Sequence, residues 1–269
     1  MKILVILVSV FFSGFLSAQD KSVEIFRVEK DGVVELHVKN TNYSPVTIEL
    51  DMDLTNMKSS QRNPITVVVE GRSEIKITDL TPEKKNAKYG MKYNYIFYRG
   101  STFAKHDDTF AYRLPYKKGQ SYKVDQGYGG KFSHTGDSRY SLDFHMDEGT
   151  EVYASRSGIV VEVEEGFSKG GDDRTLIDKA NHITILHSDG TFAQYSHLRK
   201  AGALVRIGQR VRAGDIIGLS GATGFATGAH LHFNVIKVQK GGNFITLPVK
   251  FTTKDGIQEL KEGEEYIGY

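Results

Sequence analysis

The stretch Thr227-Gly-Ala-His-Leu-His-Phe-Asn-Val-Ile236 alternates polar and apolar residues from His230 to Val235. A period of two is the mark of a strand with one face against a core. In a strand, side chains i and i+2 share a face, so His230 and His232 reach one point while Leu231 and Phe233 turn to the core. The same period runs through Val23–Val28, Val33–Val38, Val46–Leu50, Ile65–Val69, Glu74–Thr78 and Tyr93–Tyr98. Turn clusters such as Lys30-Asp-Gly32, Lys39-Asn-Thr-Asn42 and Glu70-Gly71 separate these runs. With 28 glycines, 5 prolines and no long amphipathic helix in its second half, the chain reads as all-β.

The 269 residues suit two domains, and 39% hydrophobic residues are enough for packed cores. Residues 19–115 read as an immunoglobulin-like β-sandwich. Its His37 sits among valines and leucine as a surface or core filler, and His106, beside Asp107-Asp108, reads as part of a solvated loop. The polar stretch Leu114–Ser121 hands over to a glycine-rich unit at 116–269, where seven of the nine histidines lie between 134 and 232. That unit reads as a β-sandwich or barrel built on two similar half-repeats, Gly149-Thr-Glu-Val152 to Val161 and Gly208-Gln-Arg-Val211 to Gly218. Its tail, Ile245-Thr-Leu-Pro-Val-Lys-Phe251, reads as one more strand, with Pro248 marking a sheet edge.

A formal charge of +2 leaves no field to gather nucleic acid, so no nucleic-acid partner is expected. With no cysteine, any metal must be held by His, Asp or Glu. Met1-Lys2, the apolar run Ile3–Leu16 and Ser17-Ala18 read as a signal peptide over 1–18, hence secretion to the periplasm or outside the cell, with no transmembrane segment after cleavage.

Asp143 stands in a strand between Leu142 and Phe144, and a carboxylate there must be paired or ligate a metal. His134, in a glycine-containing loop, can fold over it. With one of His230 and His232 these residues make a His₂Asp set, the three-ligand pattern of catalytic zinc. Asp137 and His145 compete for the same places, Asp137 as a loop acid supporting a ligand and His145 as a residue lining Asp143's face. A second strand supplies Tyr195 and His197 on one face.

Taken together, Asp143-Phe144, Gly149–Ala154, Tyr195-Ser-His197-Leu, Gly208-Gln-Arg-Val, Gly214–Gly218 and Gly228-Ala-His230-Leu-His232-Phe resemble the lysostaphin/LytM-type zinc endopeptidases, which cleave bridges or cross-links of bacterial peptidoglycan. The resemblance covers about Gly127 to Phe251 and implies a duplicated-hybrid-motif fold, a Zn²⁺ cofactor and peptidoglycan peptides as substrate. Carried over, it makes Asp143 and His232 metal ligands and His197 and His230 catalytic residues. The family's first ligand stands four residues before the aspartate, where this chain has Arg139. A branch with Ser-His well upstream of Tyr-x-x-Asp-Phe matches Ser133-His134 and Tyr140–Phe144, and so gives that role to His134. Tyr195 is expected to bind substrate. No His-Glu-x-x-His glutamate base exists, which leaves His197 and His230 to move protons. The alternative is a catalytically silent LytM-like module that binds cell wall or activates another hydrolase.

Overall fold

The computed structural model describes residues 22–84 and 86–269, and the expected leader over 1–18 lies outside them. Among the described residues regular structure is strand apart from two short 3₁₀ turns, Gly136–Ser138 and Arg174–Lys179. No helix there is long and apolar enough to cross a membrane.

All six N-terminal runs are strands. Val23–Lys30, Val33–Asn40, Ser73–Pro82 and a short Met57–Ser59 form one sheet; Ile65–Val69, Val46–Thr55 and Gly90–Arg99 form the other. Their inward residues, among them Leu36, Val38 and Leu80 against Val46, Ile48 and Leu50, make one sealed core. Asp31 and Gly32 both have positive φ, which is what a two-residue hairpin between Lys30 and Val33 demands of an Asp-Gly pair. His37 stacks on Phe26 and bonds Glu35.

The second core begins at Tyr112 and Leu114 rather than at residue 116, because Ala111–Tyr112 pairs in parallel with Lys250–Thr253. His106 departs from its expected solvation: its side chain is buried against Tyr112, bonding Asp108 through Nδ1 and meeting the Tyr112 hydroxyl through Nε2 at 3.3 Å. Arg156, buried, donates to Asp189 at 2.7 Å and to Tyr112 at 3.1 Å while lying 4.1 Å from the centre of the Phe110 ring. The expected tail strand is split at Pro248, which offers no N–H, into Phe244–Thr246 and Lys250–Thr253.

The main sheet of this half runs in the order Arg210–Val211, Gly158–Glu164, Asn181–Leu186, Phe192–Ala203, His230–Val238, Ser141–His145, Ser121–Gln126, Glu265–Ile267. The two half-repeats pair with each other: Val152 lies opposite Gly218, and Gly158 opposite Val211. Each repeat thus supplies the partner the other's strand lacks. They close one side of a core that contains Leu142, Phe144, Ile183, Tyr195, Leu231 and Phe233.

Tyr195 corrects the expectation of a substrate contact. It is fully buried, packs on Phe233 and accepts the Ser155 N–H at 2.8 Å. The shared face with His197 fails because the strand bulges. Ser196 pairs with His182 and Leu198 with Asn181, so His197 is an extra residue, with φ +63°. Tyr195 and Leu198 both enter the core, while Ser196 and His197 turn to the other side.

Two outcomes are expected. Tyr195→Phe leaves the Ser155 N–H unpaired and costs about 1–3 kcal/mol in urea unfolding, with metal affinity and turnover per folded molecule unchanged; lost turnover at full stability would return Tyr195 to the substrate. Asp189→Ala strands a buried guanidinium and costs about 3–5 kcal/mol. Burial pushes the Asp189 carboxyl up, but Thr191 and Arg156 pull it down further, from 3.8 to about 2. Its folded value lies below its unfolded one, so its stabilisation is complete above pH 3.8 and fades as the pH falls through about 2. Denaturation curves of wild type and Asp189→Ala should converge over that window.

Candidate metal centre

Asp143 occupies the middle of Ser141–His145, with Leu142 and Phe144 wholly buried beneath it. Alternation therefore points its carboxylate to the open face of the sheet. In register it lies opposite His232 on one neighbouring strand and Gln126 on the other. His232 Nδ1 meets Asp143 Oδ1 at 2.8 Å. Gln126 Nε2 lies 3.3 Å from Oδ2 and donates to Ser133 Oγ at 2.7 Å, which ties the carboxylate to the loop that carries His134.

That loop turns back on itself between Gly127 and Tyr140. Gly129 N donates to Arg139 O and His134 N to Gly130 O, and a Cβ at Gly130 would run into the Gln126 side chain. His134 ends fully buried, its Nδ1–H donating to Gly127 O at 2.9 Å. Its Nε2 lone pair then faces Asp143 Oδ2 at 3.3 Å without a hydrogen bond. Two acceptors facing each other at that distance require a proton or a cation between them. Both residues answer to this contact. Burial pushes the Asp143 carboxyl up, but His134 and His232 outweigh it and hold it well below the ordinary carboxylate range. Burial opposes charge on His134, and Asp143 overcomes it to raise the imidazole's value.

His134, Asp143 and His232 each offer a donor atom, and all three atoms lie within 4.8 Å of one another. One buried imidazole with an orphaned nitrogen, one ionised carboxylate and a second imidazole are a donor set suited to a divalent metal of zinc's type. Two further imidazoles flank it. His197 donates Nδ1–H to Thr223 O at 2.7 Å and His230 donates Nδ1–H to Gly228 O at 2.9 Å, so both keep Nε2 as a free lone pair. Their ring centres are 4.5 Å apart, and His197 stands 5.8 Å from His232. Burial first, then the neighbouring His230 and His232, push the His197 imidazole down to about 3, so it is neutral at ordinary pH.

The structure therefore places His134, Asp143, His197, His230 and His232 around one point and takes Tyr195 away from it. Asp137 and His145 also stay apart. Asp137 lies on the Gly136–Ser138 turn, where its carbonyl accepts from Thr246, and His145 turns outward to Asp125 at 2.7 Å. Two residues went unread in the sequence. Asn234 continues the 230, 232 alternation and lies 3.1 Å from His232 Nε2, so its signal was present. Gln126 has none, because only strand register brings it to Asp143.

The chain matches the model of Peptidase family M23 over residues 137–244, a span that contains Asp143, His197, His230 and His232 and begins just after His134. It is 36% identical over 138 residues to the glycyl-glycine endopeptidase ALE-1 of Staphylococcus capitis, covering 51% of this chain and 35% of that one. It is 41% identical over 115 residues to lysostaphin of Staphylococcus simulans, covering 42% and 21%. Against the peptidoglycan DD-endopeptidase ShyA of Vibrio cholerae it is 40% identical over 94 residues, covering 35% and 19%. The chain thus spans about a third or less of the length of these curated relatives. The half that carries the imidazole cluster thus contains a peptidase M23 domain, matched over residues 137–244.

Proposed function

We propose that the protein is a secreted zinc-dependent endopeptidase that hydrolyses peptide cross-links or bridges of bacterial peptidoglycan, in the periplasm or outside the cell. The observation that carries the reading is the buried His134 Nε2 facing Asp143 without a hydrogen bond, beside His232 and two imidazoles with free Nε2 atoms. His134, Asp143 and His232 would hold the metal. A zinc ion there supplies Lewis-acid chemistry, acidifying a water and polarising a scissile carbonyl. His197 and His230 stand in for the absent glutamate base. One takes the proton of the attacking water, and the other hydrogen-bonds the developing oxyanion or returns a proton to the leaving amine.

The names of the relatives, a glycyl-glycine endopeptidase and a DD-endopeptidase, support a cell-wall peptide as substrate and bracket the bond. An extended peptide has room here. Past Asn234 the sheet face continues into a cavity of about 430 Å³ lined by Thr184, Gln194, Asn234 and Phe244 and bounded by Arg99 and Glu162. A silent wall-binding module would have no use for a complete donor set, which favours the enzyme. The sequence of residues 1–18, a charged start, an apolar run and a small-residue exit, supports secretion. Two separate cores support a division into an N-terminal sandwich of immunoglobulin-like type and a peptidase domain, the hand-over falling between Gly100 and Tyr112.

Purified peptidoglycan should release soluble peptides on incubation with the zinc-supplied protein, and masses of the products name the bond. A chelator or His134→Ala should abolish release; release that survives both would sink the metal reading. His232→Ala should lose metal and activity together. His230→Ala should keep the metal and lose about 10²–10⁴-fold in rate, and full activity in that variant would remove His230 from the chemistry.

A further inference from the structure

Two polar rows cross the open face of the peptidase sheet side by side. Strand register sets Glu164, His182, Ser196, His232 and Asp143 opposite one another in the first, which carries metal donors. Two residues along each strand, and so about 7 Å away, Glu162, Thr184, Gln194, Asn234 and Ser141 form the second. The cavity lies on this second row, with Glu162, Thr184, Gln194 and Asn234 in its lining. Its middle suits peptide units. No described residue hydrogen-bonds the Gln194 side chain, and Asn234 Oδ1 is buried without a partner.

Beyond that row the same face is closed by the N-terminal sandwich. Phe192 and Val238 alternate onto it, yet both are buried, because Gly100 lies against them so closely that a Cβ there would stand 3.0 and 3.1 Å from their side chains. Arg99, the residue before that glycine, is the one cation in the cavity lining. Its Nη1 meets Glu162 Oε1 at 2.8 Å, while Glu162 Oε2 serves Thr184 at 3.5 Å and His182 at 3.6 Å. A guanidinium has five N–H donors, and Nε and Nη2 make a fork of their own on the edge away from Nη1. No described residue engages that fork, and the side chain is 42% exposed. Glu162 therefore fixes the guanidinium and leaves its second edge for a ligand.

We propose that Arg99, although it belongs to the sandwich, is a substrate-binding residue of the peptidase: its Nε–Nη2 fork takes a carboxylate of the wall peptide, whose backbone lies along Gln194 and Asn234. The inference rests on the peptidase reading above. Glu162 stands three strands from His232 and one row over, about 16 Å in all, which an extended peptide covers in about four or five residues. A carboxylate matches the fork with two parallel bonds, whereas an amide in its place turns one N–H toward a donor. Asp137 and Glu162, the two acids of the lining, disfavour an anion elsewhere in the cavity, and at Glu162 the guanidinium comes between the two carboxylates.

The test is a calorimetric titration of the zinc-supplied full chain with the stem peptide L-Ala-γ-D-Glu-L-Lys-D-Ala, which lacks the cross-link that hydrolysis needs. Three further forms are amidated at the glutamate α-carboxyl, at the C-terminus, or at both. Amidation at one of these positions should weaken binding to wild type by about 10-fold or more. Arg99→Gln should lose that discrimination, and the one it loses names which carboxylate the fork holds. Arg99→Lys, which keeps the charge without the fork, should recover only part of it. Four forms that bind wild type alike overturn the proposal, as does discrimination that survives in Arg99→Gln. Release of wall peptides by a chain that binds the four forms alike rejects this inference and spares the hydrolase reading. Carboxylate-dependent binding through Arg99 in a chain that releases nothing does the reverse, and a chain that neither binds nor releases rejects both.

Discussion

A carboxylate held between imidazoles on the open face of a sheet, with the other face sealed by core, is the constraint around which the peptidase half is organised. Asp143 cannot turn inward, because Leu142 and Phe144 on either side of it are already buried there. It cannot be left unpaired either, since its side chain is only 14% exposed and an ionised carboxylate in that setting costs several kcal/mol. The neighbouring strand therefore brings His232 to one oxygen and a folded-back loop brings His134 to the other. What distinguishes this from an ordinary buried ion pair is incompleteness. Nε2 of His134 has a charge partner at 3.3 Å and no hydrogen bond, so the cluster is closed in charge and open in coordination.

Backbone carbonyls set where the imidazoles point. His134 is held by Gly127, His197 by Thr223 and His230 by Gly228, so the aim of each ring depends on loop conformation more than on strand pleat. The loops are in turn braced. Phe132, on the His134 loop, stacks on Phe225, which precedes His230, with ring centres 5.6 Å apart and planes 7° from parallel. Gly170–Gly171 pairs with Gly224–Phe225 and fixes a third loop to the same rim. Residues with positive φ belong to this scheme. His197 adopts φ +63°, a conformation that non-glycine residues rarely take, and by doing so turns an imidazole onto a face that strict alternation would have denied it.

Alternation made most of this legible from the sequence. It placed the N-terminal strands, set His230 and His232 on one face, and marked Asp143 as a polar residue that had to find partners. It failed where the period itself breaks. Tyr195-Ser-His-Leu198 carries apolar residues three apart, which a strand can bury on one side only by inserting an extra residue, and the bulge at His197 is that residue. Gln126 was invisible for a different reason. Its role comes from pairing between strands seventeen residues apart in sequence, and no local pattern encodes that register. His106 misled because the two aspartates that follow it suggested solvent, whereas the packing of Tyr112 against it decided the matter.

How the N-terminal sandwich meets the groove follows from magnitudes. Arg99 reaches Glu162 at 2.8 Å at the edge of the cavity, and His182, then Arg99, hold the Glu162 carboxyl down to about 2, so the pair is ionised at any ordinary pH. Yet the two side chains are 42% and 36% exposed, and a pair that wet is worth about 0–1 kcal/mol. Packing must do the holding. Gly100, at φ +105°, runs so close to Phe192 and Val238 that a Cβ would come within about 3.0–3.1 Å of both, and Gly242 has no room for one against Tyr98. The Gly100 contacts fall on the same strands, Phe192–Ala203 and His230–Val238, that carry His197, His230 and His232 farther along. The last strand of the sandwich is thereby seated on the scaffold of the cluster itself, so that Arg99 forms part of the groove wall instead of hanging from it as a tethered neighbour.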